Sequence, residues 1–254
     1  VQNWTYKRIG ILAKEIASAF YIIGKNEPRV AIFSENSVPS AVCDLACLFY
    51  DIPDTPLNVT FSSDILIEIF DLLSINIVVT DTIERFGKLD SIRDKVKNPF
   101  TIIVTNSNVY HDNQTSFYLD EEIKKYDNES LNNALFNRKR LKLNETATVM
   151  FTSGSTGIPK GLSFSIYNLV TKRFARSAAV PFVGKDEVML CYLPLFHTFG
   201  RYLELLGTIY WRGTYTFAGN TSSETLLTLF PKVNPSVFIS IPLRWLQLYE
   251  SAME

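Results

Sequence analysis

Residues 147–161 read ATVMFTSGSTGIPKG, a short apolar run followed by a segment rich in glycine and hydroxyl residues. The run ATVMF predicts a buried β-strand, because short apolar stretches with β-branched residues are typical of core strands. Three of the chain's eleven glycines, Gly154, Gly157 and Gly161, follow within the next ten residues, beside Lys160. A glycine-rich turn leaving a buried strand exposes backbone N–H groups that converge without Cβ obstruction. The stretch therefore predicts an anion-binding loop.

Strand and helix patterns alternate through most of the chain. Short apolar runs such as RVAIFSEN (29–36), INIVVTD (75–81) and FTIIVTN (100–106) predict strands, and amphipathic segments between them predict helices. A last strand is predicted at PSVFISIP (235–242). We therefore predict an α/β fold with layered, mostly parallel sheets flanked by helices. The polar, asparagine-rich stretch 106–146 is the best candidate for a subdomain boundary, which gives segments 1–145 and 146–254; a long surface excursion is the alternative.

Composition excludes several classes of function. The net charge of −1 over 254 residues offers no basic face for nucleic acid. Two histidines and three cysteines without a CxxC pair form no metal-ligand pattern, and Cys43 and Cys47 fit a buried helix face. Acidic residues interrupt every apolar run before it could span a bilayer, so we predict no transmembrane segment and a cytoplasmic location.

Spacing excludes three common glycine motifs. A Walker A loop would need glycine where Pro159 stands, counting from Gly154. A dinucleotide-binding G-x-G-x-x-G is interrupted by Ser155 and Thr156, and a hydrolase G-x-S-x-G would need glycine at Ser153.

The remaining pattern, T-S-G-S-T-G-x-P-K-G at 152–161, resembles the phosphate-binding signature of the adenylate-forming superfamily. That superfamily includes acyl-CoA synthetases, luciferases and the adenylation domains of peptide synthetases. YLPLFHTFGRYLELLG (192–207) resembles the family's next motif, and residues 5–58 resemble its opening segment. The resemblance covers essentially the whole chain and is closest to long-chain fatty-acid CoA ligases. It implies part of the large N-terminal domain of such an enzyme.

The resemblance implies that ATP activates a carboxylic acid to acyl-AMP, and that coenzyme A then forms a thioester. The acid is expected to be a fatty acid, which would place the enzyme in lipid metabolism. The loop residues are expected to hold the phosphates of ATP, and the Thr152 hydroxyl to lie near Mg²⁺. These residues are Thr152, Ser153, Gly154, Ser155, Thr156, Gly157 and Lys160. For Lys160, a solvated side chain without a fixed role is the alternative.

His197 is the candidate catalytic residue. The resemblance places its ring where acid and AMP meet, to orient the carboxylate or to control entry of the thiol; without the resemblance, a structural histidine would be favoured. Arg201 is expected to be a charge on a helix surface, with a contact to a phosphate or carboxylate group as the alternative.

The family's later elements, a Tyr-Gly-x-Thr-Glu stretch, a ribose-binding aspartate and a mobile C-terminal lid domain, do not occur in these 254 residues. We therefore expect an N-terminal fragment that is inactive alone, with weak ATP binding. Adenylation of an amino or aryl acid for a carrier protein is an alternative function. A non-catalytic nucleotide-binding protein is another.

Overall fold

The computed structural model describes residues 3–106, 108, 116–152, 159–219 and 222–253. Its contacts divide the chain into two compact units. Unit 1 comprises Val1–Glu35 and Pro39–Ile166, and unit 2 comprises Asn36–Val38 and Tyr167–Glu254. The division in the structure therefore lies after residue 166 instead of residue 145, because the next two strands pair into the sheet of unit 1.

Unit 1 is built on a sheet of seven strands among the residues that the structure describes. Their order is β5-β4-β3-β1-β2-β6-β7, and all neighbours are parallel except β6 and β7. The strands are Val30–Ile32 (β1), Asp54–Pro56 (β2), Ile77–Thr80 (β3), Thr101–Val104 (β4), Ser116–Tyr118 (β5), Thr146–Thr152 (β6) and Lys160–Ser165 (β7). The predicted α/β fold with a mostly parallel sheet is confirmed.

The central strands are apolar because helices cover both faces of the sheet. Every residue of β1 and β3 is buried, and Val30 pairs with Ile77. Ala31, Phe33 and Val78 share a core with residues of the helix that precedes β3.

Six helices belong to unit 1: Tyr6–Ile23 (α1), Val38–Phe49 (α2), Ser63–Leu73 (α3), Ile83–Asp90 (α4), Leu119–Lys124 (α5) and Asn128–Phe136 (α6), counted over the described residues. Their ends follow local chemistry. The Ser62 hydroxyl accepts from the N–H of Ile65 and caps α3, and Gly24 ends α1 by donating to the carbonyl of Phe20 at 2.8 Å. Cys43 and Cys47 are buried in α2, as predicted.

Unit 2 contains the parallel pair Val188–Cys191 (β8) and Thr214–Phe217 (β9). Around this pair lie Ile166–Ala179 (α7), a π-helix at Phe199–Leu205, Leu206–Trp211 (α8), Ser223–Val233 (α9) and Pro242–Met253 (α10). The strand predicted at residues 235–242 is reduced to one bridge between Met189 and Val237. Beyond it, the Phe238 ring stacks on Tyr192 and packs against Trp245 at 5.2 Å, so side-chain packing takes the place of strand pairing.

Within the described part of the chain, none of the helices has both the length and the apolar character that a membrane crossing requires.

Candidate functional site

The glycine-rich loop connects two antiparallel strands at one edge of the unit 1 sheet. Thr152 is the last residue of β6 and Lys160 the first of β7, and the two are directly paired. The Thr152 hydroxyl lies 3.5 Å from the Lys160 carbonyl oxygen, and both residues are exposed. The intervening predicted site residues lie outside the described residues, namely Ser153, Gly154, Ser155, Thr156 and Gly157.

Packing below the loop fixes the position of this hairpin. The Thr55 hydroxyl donates to the Val149 carbonyl at 2.7 Å, which ties β6 to β2. A Cβ at Gly161 would lie 3.2 Å from both the Phe151 ring and a Val149 methyl group. Gly161 therefore serves close packing of the hairpin, and Thr152 and Lys160 stand at its open end.

His197 follows strand β8 in a tight turn. Its backbone N–H donates to the Pro194 carbonyl at 3.0 Å, and its own carbonyl accepts from the Arg201 N–H at 3.0 Å. The Phe199 backbone N–H donates to His197 Nδ1 at 3.3 Å. Because Nδ1 accepts this bond, the neutral ring carries its proton on Nε2. The exposed imidazole therefore offers an Nε2–H donor at a fixed place.

Gly200 permits this turn. An added Cβ would lie 2.3 Å from the Pro194 carbonyl oxygen and 2.4 Å from that of Leu193. Real Cβ contacts are never this short, and both obstructing atoms are backbone, which cannot rotate away. Any larger residue at position 200 would displace the start of the π-helix.

Asn36 holds the segment before His197 from a distant part of the sequence. Its side-chain amide donates to the Leu193 carbonyl at 2.7 Å, and its side-chain oxygen accepts from the Leu195 N–H at 2.9 Å. One amide thus satisfies a donor and an acceptor of the same irregular segment.

Glu204 holds the other side of that segment from the π-helix. The Leu193 N–H donates to Glu204 Oε2 at 3.2 Å, and the carboxyl is 1% exposed. Burial raises the pKa of the Glu204 carboxyl to about 8, although the bonds from the backbone N–H groups of Leu193 and Tyr192 lower it in part. Glu204 is therefore mostly protonated at neutral pH.

Arg201 is fully buried, so the expectation of a helix-surface charge is wrong. The pattern of residues 201–211 correctly predicted a helix at Arg201, but the helix begins as a π-helix at Phe199–Leu205. A π-helix has more residues per turn than an α-helix, so different side chains face inward.

Asn36 and Glu204 were not predicted from the sequence. Asn36 lies far from His197 in sequence, and an acid inside an apolar helical run is indistinguishable from a surface acid.

The described residues contain no group of three acidic, histidine or cysteine side chains that could hold a metal ion. Mg²⁺ commonly keeps several waters and binds through substrate phosphates, so the Thr152 hydroxyl fits only as a supplementary contact.

Comparisons with known proteins agree with the resemblance. A long chain acyl-CoA synthetase 8 of Arabidopsis thaliana is 27% identical over 75% of this chain and 27% of its own length. A long-chain-fatty-acid–CoA ligase, ACSBG1 of Bos taurus, is 26% identical over 100% of this chain and 36% of its own length. The chain thus spans about a third of the length of these relatives.

A crystal structure of ATP-bound MatB from Rhodopseudomonas palustris superposes with a TM-score of 0.71 at 20% identity, over 96% of this chain and 45% of MatB. At that identity the likeness establishes the fold. The family described as AMP-binding enzyme matches residues 1–254, which include both the glycine-rich hairpin and the His197 turn. The chain belongs to the family of AMP-binding enzymes.

Proposed function

We propose that the protein of which this chain forms at least a part activates a carboxylic acid with ATP and transfers the acyl group to coenzyme A. The observation that carries the proposal is the T-S-G-S-T-G-x-P-K-G loop, joined to a buried sheet by the paired residues Thr152 and Lys160, in a member of the AMP-binding family.

The hairpin is proposed to hold the phosphates of ATP. The backbone of Ser153, Gly154, Ser155, Thr156 and Gly157 supplies N–H donors, and Lys160 adds a positive charge at the open end. Lys160 is exposed and forms no ion pair with any described residue, so its charge is available. Mg²⁺ bound to the triphosphate would neutralise part of its negative charge, and the Thr152 hydroxyl would lie beside the metal ion.

His197 is proposed to orient the acid. Formation of acyl-AMP requires a carboxylate oxygen to be aligned with the α-phosphorus, and a fixed hydrogen-bond donor lowers the entropy cost of that alignment. The bond from Phe199 to Nδ1 directs the remaining donor, Nε2–H, away from the turn. A neutral ring can perform this role without general-base catalysis.

We propose a fatty acid as substrate. The support is the names of the relatives, which are long-chain acyl-CoA ligases, and the lack of a clear aspartate in TYTFAGNTSSETLL (214–227), where amino-acid-activating relatives bind the substrate amine. We further propose that the 254-residue chain is inactive alone, since it spans about a third of its relatives.

ATP–pyrophosphate exchange tests the proposal. The full-length protein should catalyse exchange with long-chain fatty acids and not with amino or aryl acids. Exchange should fall about 100-fold or more in H197A, within the usual range for an orienting group. K185A, an exposed lysine, is the control and should leave exchange unchanged.

If exchange occurs only with an amino or aryl acid, that acid is the substrate and the proposal of a fatty acid is wrong. ATP binding without exchange for any acid would favour a non-catalytic nucleotide-binding protein. Robust exchange by the 254-residue chain alone would contradict the proposed inactivity.

A further inference from the structure

Two arginines on α7, Arg173 and Arg176, are partly buried, and neither forms an ion pair with an acid among the residues that the structure describes. Arg173 and Arg176 lie three residues apart and therefore share one face of the helix. Both are partly buried, whereas the neighbouring Lys172 is exposed. Both belong to unit 2, whereas the residues of the glycine-rich loop belong to unit 1.

Neither guanidinium has all its donors satisfied. Nη2 of Arg173 and Nη1 of Arg176 are shielded from solvent and have no hydrogen-bond partner among the residues that the structure describes. None of the ion pairs formed by described residues includes either arginine. Burial, with Arg176 as a neighbouring like charge, lowers the pKa of Arg173 to about 10, and burial lowers the pKa of Arg176.

The surroundings come from the helical segment after His197. A Cβ at Gly207 would lie 3.3 Å from Arg173 Nη1 and 2.8 Å from the Trp211 ring, so the absence of a side chain there lets α8 pack closely against the arginine. Tyr202 of the π-helix is the titratable neighbour that interacts with both arginines. It is phenolic, so it does not neutralise them at neutral pH.

Partly burying two adjacent cations with unsatisfied donors is unfavourable unless an anion joins them. A planar guanidinium presents donors in a fork that matches two oxygens of a carboxylate or phosphate. We propose that Arg173 and Arg176 form an anion-binding site that takes a phosphate or carboxylate group. Tyr202 and Gly207 line this site. This site does not depend on the adenylate-forming function proposed above.

The test measures the binding of inorganic phosphate, and separately of acetate, to the 254-residue chain. Isothermal titration calorimetry and the shift in Tm report the binding. Sodium chloride at matched ionic strength corrects for general screening. Affinity for at least one of the two anions should fall tenfold or more in R173Q and in R176Q, with R173K intermediate because it keeps charge without the fork. K172Q, on the exposed side of the same helix, should change affinity by less than twofold.

K160Q separates this site from the loop. Phosphate binding that survives K160Q and is lost in R173Q supports the proposal, whereas the reverse assigns the phosphate to the loop and overturns it. Binding of phosphate alone, of acetate alone, or of both shows which class of anion the site accepts. Without anion, R173Q should have a Tm equal to or above that of the wild type, since an unsatisfied cation is removed. A fall in Tm of several degrees with unchanged anion binding would show a structural arginine and overturn the proposal, as would no binding of either anion.

Discussion

The glycine-rich hairpin and the His197 turn hold their exposed residues by different interactions. In the hairpin, Thr152 and Lys160 are positioned by regular pairing of β6 with β7, and their side chains take almost no part in holding it. In the turn, the segment before His197 is held by hydrogen bonds of Asn36 with Leu193 and Leu195 and of Glu204 with Leu193, and Gly200 leaves room for two carbonyl groups.

The difference follows from backbone geometry. Strand pairing satisfies backbone groups for any sequence that suits a strand, whereas an irregular segment needs particular side chains for its buried N–H and C=O groups. Substitutions near His197 should therefore reduce stability far more than substitutions of the hairpin residues. The predictions below test this contrast, from the largest expected effect to the smallest.

G200A should be the most destabilising change. Its Cβ would overlap two backbone carbonyls, so the free energy of unfolding should fall by about 3 kcal/mol or more in chemical denaturation. G10A is the matched control, because nothing lies within 4 Å of a Cβ at Gly10 in α1. G10A should raise stability by about 0.5–1 kcal/mol, and equal losses in both variants would contradict the account of the turn.

E204Q should change the dependence of stability on pH. The folded-state pKa of Glu204 lies above its unfolded value of 4.5, at about 8, so the folded state binds more protons in this window and its stability falls as pH rises through it. E204Q keeps an acceptor for the Leu193 N–H but cannot ionise. As pH rises from 4.5 to about 8, the free energy of unfolding of E204Q should therefore increase relative to that of the wild type, by up to about 1.4 kcal/mol for each pH unit.

Denaturation curves at several pH values between 4 and 9 measure this difference. E250Q, an exposed glutamate on α10, is the control and should run parallel to the wild type. Parallel curves for E204Q as well would mean that folding does not raise the pKa of Glu204.

N36A should cost about 1–3 kcal/mol, because the Leu193 carbonyl and the Leu195 N–H each lose their partner. N132A removes an exposed acceptor of the Lys14 ammonium group and should change stability by less than about 0.5 kcal/mol. A comparison of urea midpoints suffices, and similar values for the two variants would argue against the role of Asn36.

K160A and T152V should change the free energy of unfolding by less than about 0.5 kcal/mol, since both side chains are exposed. In the full-length protein, K160A should weaken ATP binding by about tenfold to 100-fold, the loss expected for a charged hydrogen bond. K185A serves again as the control. Unchanged ATP affinity would leave Lys160 a solvated lysine without a fixed role.

Sequence alone determined the α/β class, the mostly parallel sheet and the strand that leads into the glycine-rich loop, whereas its antiparallel partner β7 was not predicted. The predicted features depend on local signals: apolar runs such as INIVVTD and the glycine spacing after Phe151. The resemblance of residues 192–207 to a family motif made His197 the candidate catalytic residue, and this role stays a prediction.

Only the tertiary structure revealed what holds the segment before His197, and which ionisable side chains are buried or partly buried. Asn36 reaches Leu193 across 157 residues of sequence, and Arg201, Glu204, Arg173 and Arg176 all resemble surface charges in a helical pattern. The physical reason is that burial and hydrogen-bond partners are set by segments that meet only after folding, whereas propensity and capping act within a few residues.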